Sequence, residues 1–448
     1  MFDKVLIANR GEIAMRVIRT CRTLGIRTVA VHALGEEAAL HVRFADQAVC
    51  IGPPDPHKSY LSVPAIMAAA EVTGADAVHP GYGFLSEDAA FAELCQRCGL
   101  GFIGPSPAAM RMWGDKVSAR AKAREFGLAL LPGSDVLRDG RDAERKASRI
   151  GYPVILKAAG GGGGRGMRLV RAASEIGRAF DTATEEALRA FDNPGVYVER
   201  FIERPRHIEL QLVADSHGGA WSLGERECSL QRRHQKVMEE APSTVLSEQQ
   251  RHDLGEKLCE AVRTTGYTTL GTFEFLMDER GELYFMETNT RIQVEHPVTE
   301  AVTGLDLVEL QLRAAAGEKL RLPDTRRWRP RGHAVECRIN AEDPRTFAPW
   351  PGKILEYHPP GGAGVRVDSG VYGGWRVPGH YDSLIAKIIA FGSDRNQAMA
   401  RMRVALDELI IEGIRTNIPL HQALLRDADV LAGKMSTRTI EELIRKGF

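Results

Sequence analysis

Glu274, Glu287, Asn289, Arg291, Gln293 and Glu295 fall within one stretch, residues 272–300, and few folding needs would gather such groups there. On both sides of residues 278–281 apolar and polar residues alternate, the pattern of two short strands joined by a tight turn. A turn centred near Arg280 and Gly281 sets Glu274 opposite Glu287, where like charges destabilise unless something neutralises them. Two carboxylates and the Asn289 amide oxygen are hard donors. They suit Mg2+ or Mn2+, ions that keep waters and complete their shell with substrate phosphates.

Arg291, Gln293 and Glu295 share parity, so an extended chain would project all three toward one side. A guanidinium fork binds a planar oxyanion bidentately, and a carboxylate beside it can accept that anion's proton if its pKa permits. Bicarbonate fits both groups, although a polar ladder on an edge strand would show the same spacing.

Residues 153–157 read as a buried strand, 160–166 (GGGGGRG) as a loop and 167–170 as a second strand. A Walker A loop or a Rossmann fingerprint needs a helix directly after its glycines, so neither fits. What remains is a flap whose backbone N–H groups can close over a triphosphate, with Lys157 and Arg165 adding positive charge; an ordinary glycine linker is the plainer alternative. A second cationic cluster, Arg232, Arg233, His234 and Lys236 beside Glu239 and Glu240, is either a solvated face or part of a site. Cys228 next to it reads as a packed thiol.

The elements that must position these groups come from a chain of 448 residues, 44% hydrophobic, longer than one compact core normally supports. Lys plus Arg (59) equals Asp plus Glu (59), so no overall field steers the protein onto nucleic acid or an anionic membrane. No apolar run approaches the roughly 20 residues needed to span a bilayer, and the first residues lack a signal-peptide core, which points to the cytoplasm. Seven scattered cysteines argue for reduced thiols, and the lone Cys95–Cys98 pair for packing on a helix.

From residue 3 to 104 strand-like runs alternate with helical patterns, the signature of βαβ units around a parallel sheet. Ligands of such sheets sit beyond the carboxyl ends of the strands, making loops 9–11 and 80–84 candidate site edges. Boundaries at 1–113, 114–202 and 203–448 separate this part from the glycine-loop module and from a remainder that mixes strands and helices.

Several long motifs occur in one order: ANRGEIA from Ala8, HPGYGFLSE from His79, GDK from Gly114, KAAGGGGGRGM from Lys157, CSLQRRHQK from Cys228, GTFEFL from Gly271, NTRIQVEHPVTE from Asn289 and VECRINAEDP from Val335. By these the chain closely resembles the biotin carboxylase subunit of bacterial biotin-dependent carboxylases, in the ATP-grasp superfamily. The resemblance implies an α/β chain, α+β overall, with a Rossmann-like N-terminal domain, a small lid domain and a larger C-terminal domain, ATP lying between the last two. It implies that Lys116, Lys157, Gly163 and Gly164 contact the phosphates, that Glu199, Arg200, Phe201 and Ile202 meet the adenine, and that His207 and His234 complete the nucleotide pocket. Glu274, Glu287 and Asn289 would hold two Mg2+ or Mn2+ ions. Lys236, Arg291, Gln293 and the Val294 backbone would bind bicarbonate, with Glu295 as general base. Arg338 would stabilise the biotin enolate, and Tyr82 and Gly83 would border the ureido ring.

The resemblance further implies that biotin arrives on a biotin carboxyl carrier protein, because no lysine here is flanked as in a Met-Lys-Met biotinylation site. Carboxyltransferase subunits, a homodimer and a place in acetyl-CoA carboxylase, at the first half-reaction of fatty acid synthesis, follow from the same likeness. The rival expectations are carboxylases of other acyl-CoAs or pyruvate, another ATP-grasp ligase, and a non-catalytic regulatory protein that binds ATP. Thr288, where the family commonly has Met, and Trp350, where a small residue is usual, depart from the pattern. Strand alternation should turn Thr288 away from the metals. Residues 373–387 match more loosely.

Overall fold

The computed structural model describes residues 1–159, 167–191, 193–323 and 329–448. Gly163 and Gly164, with the rest of the glycine loop, lie outside the described residues.

Five parallel strands, β1 (Lys4–Ile7), β2 (Arg27–His32), β3 (Gln47–Cys50), β4 (Ala77–His79) and β5 (Gly101–Phe102), lie in the order β3-β2-β1-β4-β5. The apolar runs of β1, β2 and β4 are buried because helices cover the sheet, among them Gly11–Thr23 and Ala89–Arg97, while the edge strand β3 is largely exposed. The order reverses between β1 and β4, so the loops leaving those strands face a common crevice. Asn9 ties them together by donating from Nδ2 to the carbonyls of Pro80 and Tyr82, both at 2.8 Å. Gly81, at φ +64°, has to be glycine there, since a Cβ would come within 2.8 Å of that nitrogen.

A second, three-stranded sheet, β6 (Val154–Ala158), β7 (Met167–Val170) and β8 (Val196–Arg200), runs β7-β6-β8 under the helices Gly140–Ile150 and Ile176–Phe191. Its core is small, built on residues such as Leu137, Val154, Leu156 and Val198. The expected strands around the glycine loop are therefore present.

The largest sheet contains β9 (Arg206–Ala214), β10 (Ala220–Arg232), β11 (Gln235–Ala241), β12 (Thr269–Met277), β13 (Leu283–Asn289) and β14 (His333–Asn340). Short pairs follow, β15 (Gly352–Lys353) with β18 (Arg376–Val377) and β16 (Glu356–His358) with β20 (Ile410–Glu412), while β17 (Val365–Ser369) and β19 (Leu384–Gly392) complete the large sheet. Its order is β13-β12-β9-β10-β11-β14-β19-β17. β12 and β13 form the expected hairpin with Glu274 paired to Glu287, and the register shifts between Glu274 and Phe275.

One expectation about local structure is corrected. The segment after β13 is not an extended ladder: the chain turns through residues 290–295 and enters the helix His296–Thr303 with Glu295 at its N-cap, φ −82° and ψ 11°. Pro297 at the start of that helix lacks an N–H to lose and presets the helical φ, which favours a helix start here.

Candidate active site

A cleft of about 1080 Å³ opens where the three sheets meet. Tyr82 and Gly83 reach it from the loop after β4, and Lys116 from the start of the helix Lys116–Glu125. Lys157 enters from β6, while Arg200, Phe201 and Ile202 line it at and beyond the end of β8. The large sheet and its turns supply His207, His234, Lys236, Glu274, Glu287, Asn289, Arg291, Gln293, Val294 and Arg338. Glu199 and Glu295 stand behind the wall, 1% and 0% exposed. Glu199 gives its carboxylate to Lys157 at 2.6 Å and Arg120 at 2.5 Å, so it anchors Lys157 from behind the cleft wall.

Lys236 is held between three carboxylates: its Nζ donates to Glu209 at 2.5 Å, Glu295 at 2.6 Å and Glu274 at 2.9 Å. Burial works to push the ammonium's pKa down, but Glu209, Glu274 and Glu295 outweigh it and hold it well above the ordinary lysine value. For Glu295 burial acts upward, yet Lys236, Arg338 and Arg226 hold it well below the usual carboxylate range. Glu274 is likewise held low against burial by Lys236 and His207, whose Nε2 lies 2.9 Å from it. Register explains the convergence, because Glu274 pairs with Glu209 across β12 and β9, and Glu209 with Arg226 across β9 and β10. Arg226 is fully buried and bonds Glu209, Gln211, Thr299 and Thr272.

The β10–β11 turn that delivers Lys236 holds Arg233 and His234 at φ 49° and 67°. Positive φ at two successive residues suits a two-residue hairpin turn, but glycine or asparagine is the usual occupant. Arg233 and His234 are exposed, and the turn sets them at the rim of the cleft.

Arg291 is positioned by four elements of its surroundings. Its Nε donates to Glu87 at 2.9 Å, one terminal nitrogen to Gln293 Oε1 and the Ile292 carbonyl, and the other to Asn289 Oδ1 at 3.0 Å. Glu87 also accepts the Thr290 backbone N–H at 2.9 Å. Asn289 in turn donates to Glu274 at 2.8 Å. The oxygens of Glu274 and Glu287 and the Asn289 amide oxygen form a hard donor set on two adjacent strands, which fits a divalent cation, and Glu287 is the open member, with Lys116 3.5 Å away. His207, Glu209 and Glu274 also approach one another, but Lys236 already binds two of those carboxylates. Arg338 bonds Glu239 and Glu295 Oε2, the latter at 2.8 Å, and presents its guanidinium to the cleft from β14.

Sequence reasoning missed Glu87, Arg226, Glu209, the bond of Glu239 to Arg338 and the pair Lys387–Glu12 (3.1 Å), in which Lys387 joins β19 to the first helix and gives the Val294 carbonyl a 2.8 Å hydrogen bond. Glu87 ends the quoted HPGYGFLSE motif beyond a switch-point strand, and that position was the available signal.

Three family descriptions match the chain in series: biotin carboxylase N-terminal domain at residues 1–110, carbamoyl-phosphate synthase L chain ATP-binding domain at 115–323, and biotin carboxylase C-terminal domain at 336–442. A biotin carboxylase of Haemophilus influenzae is 54% identical over 444 residues, 99% of each chain. The chain belongs to the biotin carboxylase family. One of the pyruvate carboxylase subunits of Methanothermobacter thermautotrophicus, 48% identical over 99% of this chain and 91% of its own, is a further relative. The biotin carboxylase domain of Hydrogenobacter thermophilus 2-oxoglutarate carboxylase, solved as a dimer in complex with MgADP, ADP and bicarbonate, superposes with a TM-score of 0.93 at 47% identity over 99% of both chains. The fold is thus that of the ATP-grasp biotin carboxylases, ATP-dependent ligases that carboxylate biotin.

Within this family frame the two departures lie outside the chemistry. Thr288 is buried and does not line the cleft. Trp350 is partly exposed, with the Arg415 guanidinium 4.5 Å over its ring. Cys228 is a buried thiol pushed well above the ordinary value by burial and then by Glu209, so it is not poised as a nucleophile. Cys95 is buried and Cys98 exposed, with no disulfide between them. Among the described residues no helix is long and apolar enough to cross a membrane.

Proposed function

We propose that this chain carboxylates biotin carried on a separate carrier protein, using ATP and bicarbonate, as the first half-reaction of acetyl-CoA carboxylase. The observation that carries the reading is the meeting of Lys236, Arg291 and Arg338 at one cleft beside the paired carboxylates Glu274 and Glu287, with Glu295 bonded to Lys236 and Arg338 directly behind them. Lys116 and Lys157 neutralise the nucleotide phosphates, and the backbone at 199–202 with His207 and His234 seats the rest of the nucleotide. Glu274, Glu287 and Asn289 would hold Mg2+ or Mn2+, which when bound offsets phosphate charge and orients the γ-phosphate.

Arg291, Gln293, Lys236 and the Val294 N–H receive bicarbonate. Glu295, tied to Lys236 and Arg338, becomes a usable base only when bicarbonate takes over the Lys236 bond. It then removes the bicarbonate proton while the oxyanion attacks the γ-phosphorus and the bond to ADP breaks, giving carboxyphosphate. Carboxyphosphate splits to CO2 and phosphate, the phosphate takes the N1 proton of biotin, and N1 bonds CO2. Arg338 offsets the charge on the ureido oxygen meanwhile, with Tyr82 and Gly83 at its edge.

The testing experiment is ATP hydrolysis with and without bicarbonate, free biotin and an amine. Bicarbonate dependence with stimulation by biotin supports the assignment; stimulation by the amine alone overturns it in favour of another ATP-grasp ligase. The likeness to a pyruvate carboxylase component favours a second reading, in which the acceptor is pyruvate or a related acid. Carboxyl transfer from carboxybiotin by the transferase co-purifying with this chain, offered acetyl-CoA and pyruvate in parallel, separates the two. A homodimer, like that of the 2-oxoglutarate carboxylase domain, is proposed with them and is checked by sedimentation.

A further inference from the structure

Behind Arg338 lies a second layer of acid. Glu239 on β11 and Glu336 on β14 are register partners, so their side chains leave the same face of adjacent strands, about 5 Å apart at Cβ. They are 1% and 0% exposed, and neither lines the cleft. Glu239 uses Oε1 on Arg338; its Oε2 and both oxygens of Glu336 have no hydrogen-bond partner. The charged groups facing the pair are Lys236 on β11, Arg338 on β14, Lys387 on β19 and Glu295 at the start of the helix His296–Thr303. Lys236 and Lys387 give their bonds elsewhere, to Glu209, Glu274 and Glu295 and to Glu12 and Val294.

A buried carboxylate with no donor is costly, and two facing each other cannot both ionise. A neutral acid resolves both problems, because its O–H is the donor that the other carboxyl lacks. We propose that Glu239 and Glu336 form a carboxyl pair that keeps a proton between them while Arg338 works, so that Glu336 adds no further negative charge to that of Glu239 and Glu295 and the guanidinium retains charge for its ligand. Burial raises Glu239 to about 7 against the pull of Arg338, and lifts Glu336 well above the ordinary carboxylate range against the pull of Lys387. Glu240, one residue on, is the contrast: His333 and Arg395 satisfy it, and it is held low despite burial.

The role of the pair rests on the reading of Arg338 as the group that meets the biotin oxygen. Loss of the last shared proton doubles the negative charge behind Arg338, so biotin-stimulated turnover should fall at alkaline pH, whereas bicarbonate-dependent ATP cleavage without biotin should not follow it. Gln cannot ionise. In E336Q the alkaline fall of the biotin-stimulated rate therefore moves up by about one pH unit or more, while the biotin-independent profile stays in place. The infrared difference between wild type and E336Q at neutral pH shows one neutral carboxylic acid. An alkaline limb at the same pH in E336Q, or no acid band in the difference, overturns the pair. Should E336Q fail to fold, the same infrared difference is taken against E239Q; one neutral acid lost at neutral pH supports the pair and no acid band in the difference overturns it. Wild-type protein that shows no biotin stimulation refutes the function, not the pair.

Discussion

Removing the charge of Glu87 tests how the oxyanion fork is held. Its carboxylate is the only acidic partner of Arg291 among the described residues, at 2.9 Å, and it also fixes the Thr290 N–H. E87Q retains an acceptor for Thr290 but loses the ionic partner of Arg291. A shielded charge-assisted hydrogen bond contributes about 1.5–3 kcal/mol and an exposed ion pair about 0.2–1 kcal/mol. With side chains 19% and 39% exposed, this pair falls between the two, at about 1–1.4 kcal/mol, or about five- to tenfold in an equilibrium constant. The KM for bicarbonate in bicarbonate-dependent ATP cleavage should rise by that factor while the KM for ATP stays unchanged, because Lys116 and Lys157 are untouched. E87A, which also frees the Thr290 N–H, should be worse. An unchanged bicarbonate KM in E87Q, or an equal rise in both constants, would refute the reasoning.

K236Q leaves Glu209, Glu274 and Glu295 facing one another without their shared ammonium, so the melting temperature should fall by the equivalent of about 3–5 kcal/mol and bicarbonate-dependent cleavage should vanish. The stability deficit should shrink as pH is lowered and the acids take up protons; a deficit independent of pH counts against it. His41, His79 and His421 are buried, each with an unpartnered ring nitrogen, and burial pushes each down to about 4. The unfolded chain binds their protons at about pH 6.5 and the folded chain does not, so stability is full above about 6.5. It falls as pH drops toward about 4, by up to about 4 kcal/mol per pH unit. Thermal midpoints flat across that window would contradict this. The Thr288 hydroxyl is buried with no partner, so T288V should hold or raise the melting temperature, by up to about 1–3 kcal/mol, with kcat unchanged; a clear loss of stability would reveal a missing partner.

The hairpin was legible because a period-two pattern and a turn signal specify which residues oppose each other, and Glu274 does pair with Glu287. The grouping of Arg291, Gln293 and Glu295 was legible for a different reason than the structure gives: a turn and a helix start bring them together, not strand parity. Glu209 could not be read from local pattern, and neither could which arginines Glu239 and Glu87 hold. Glu87 and Glu239 stand 204 and 99 positions in sequence from the arginines they hold, and only the tertiary arrangement of the sheets brings them close. Buried charge in strands also defies the rule that an interior strand is apolar, so the local pattern gives no sign that Arg226 is buried and leaves the Lys236 cluster open between a solvated face and a site.

The change of register in the β12–β13 hairpin leaves Met286 as an extra residue, since Glu274 pairs with Glu287 but Phe275 with Phe285. In a strictly alternating strand Phe285 and Glu287 would share a side. The inserted residue resets the phase, so that Phe285 packs against Phe275, ring centroids 5.8 Å apart, while Glu287 looks into the cleft. Deleting Met286 would give a regular ladder with both residues still on their own sides, whereas keeping it without the bulge would force the chain to choose between filling its interior and presenting its acid.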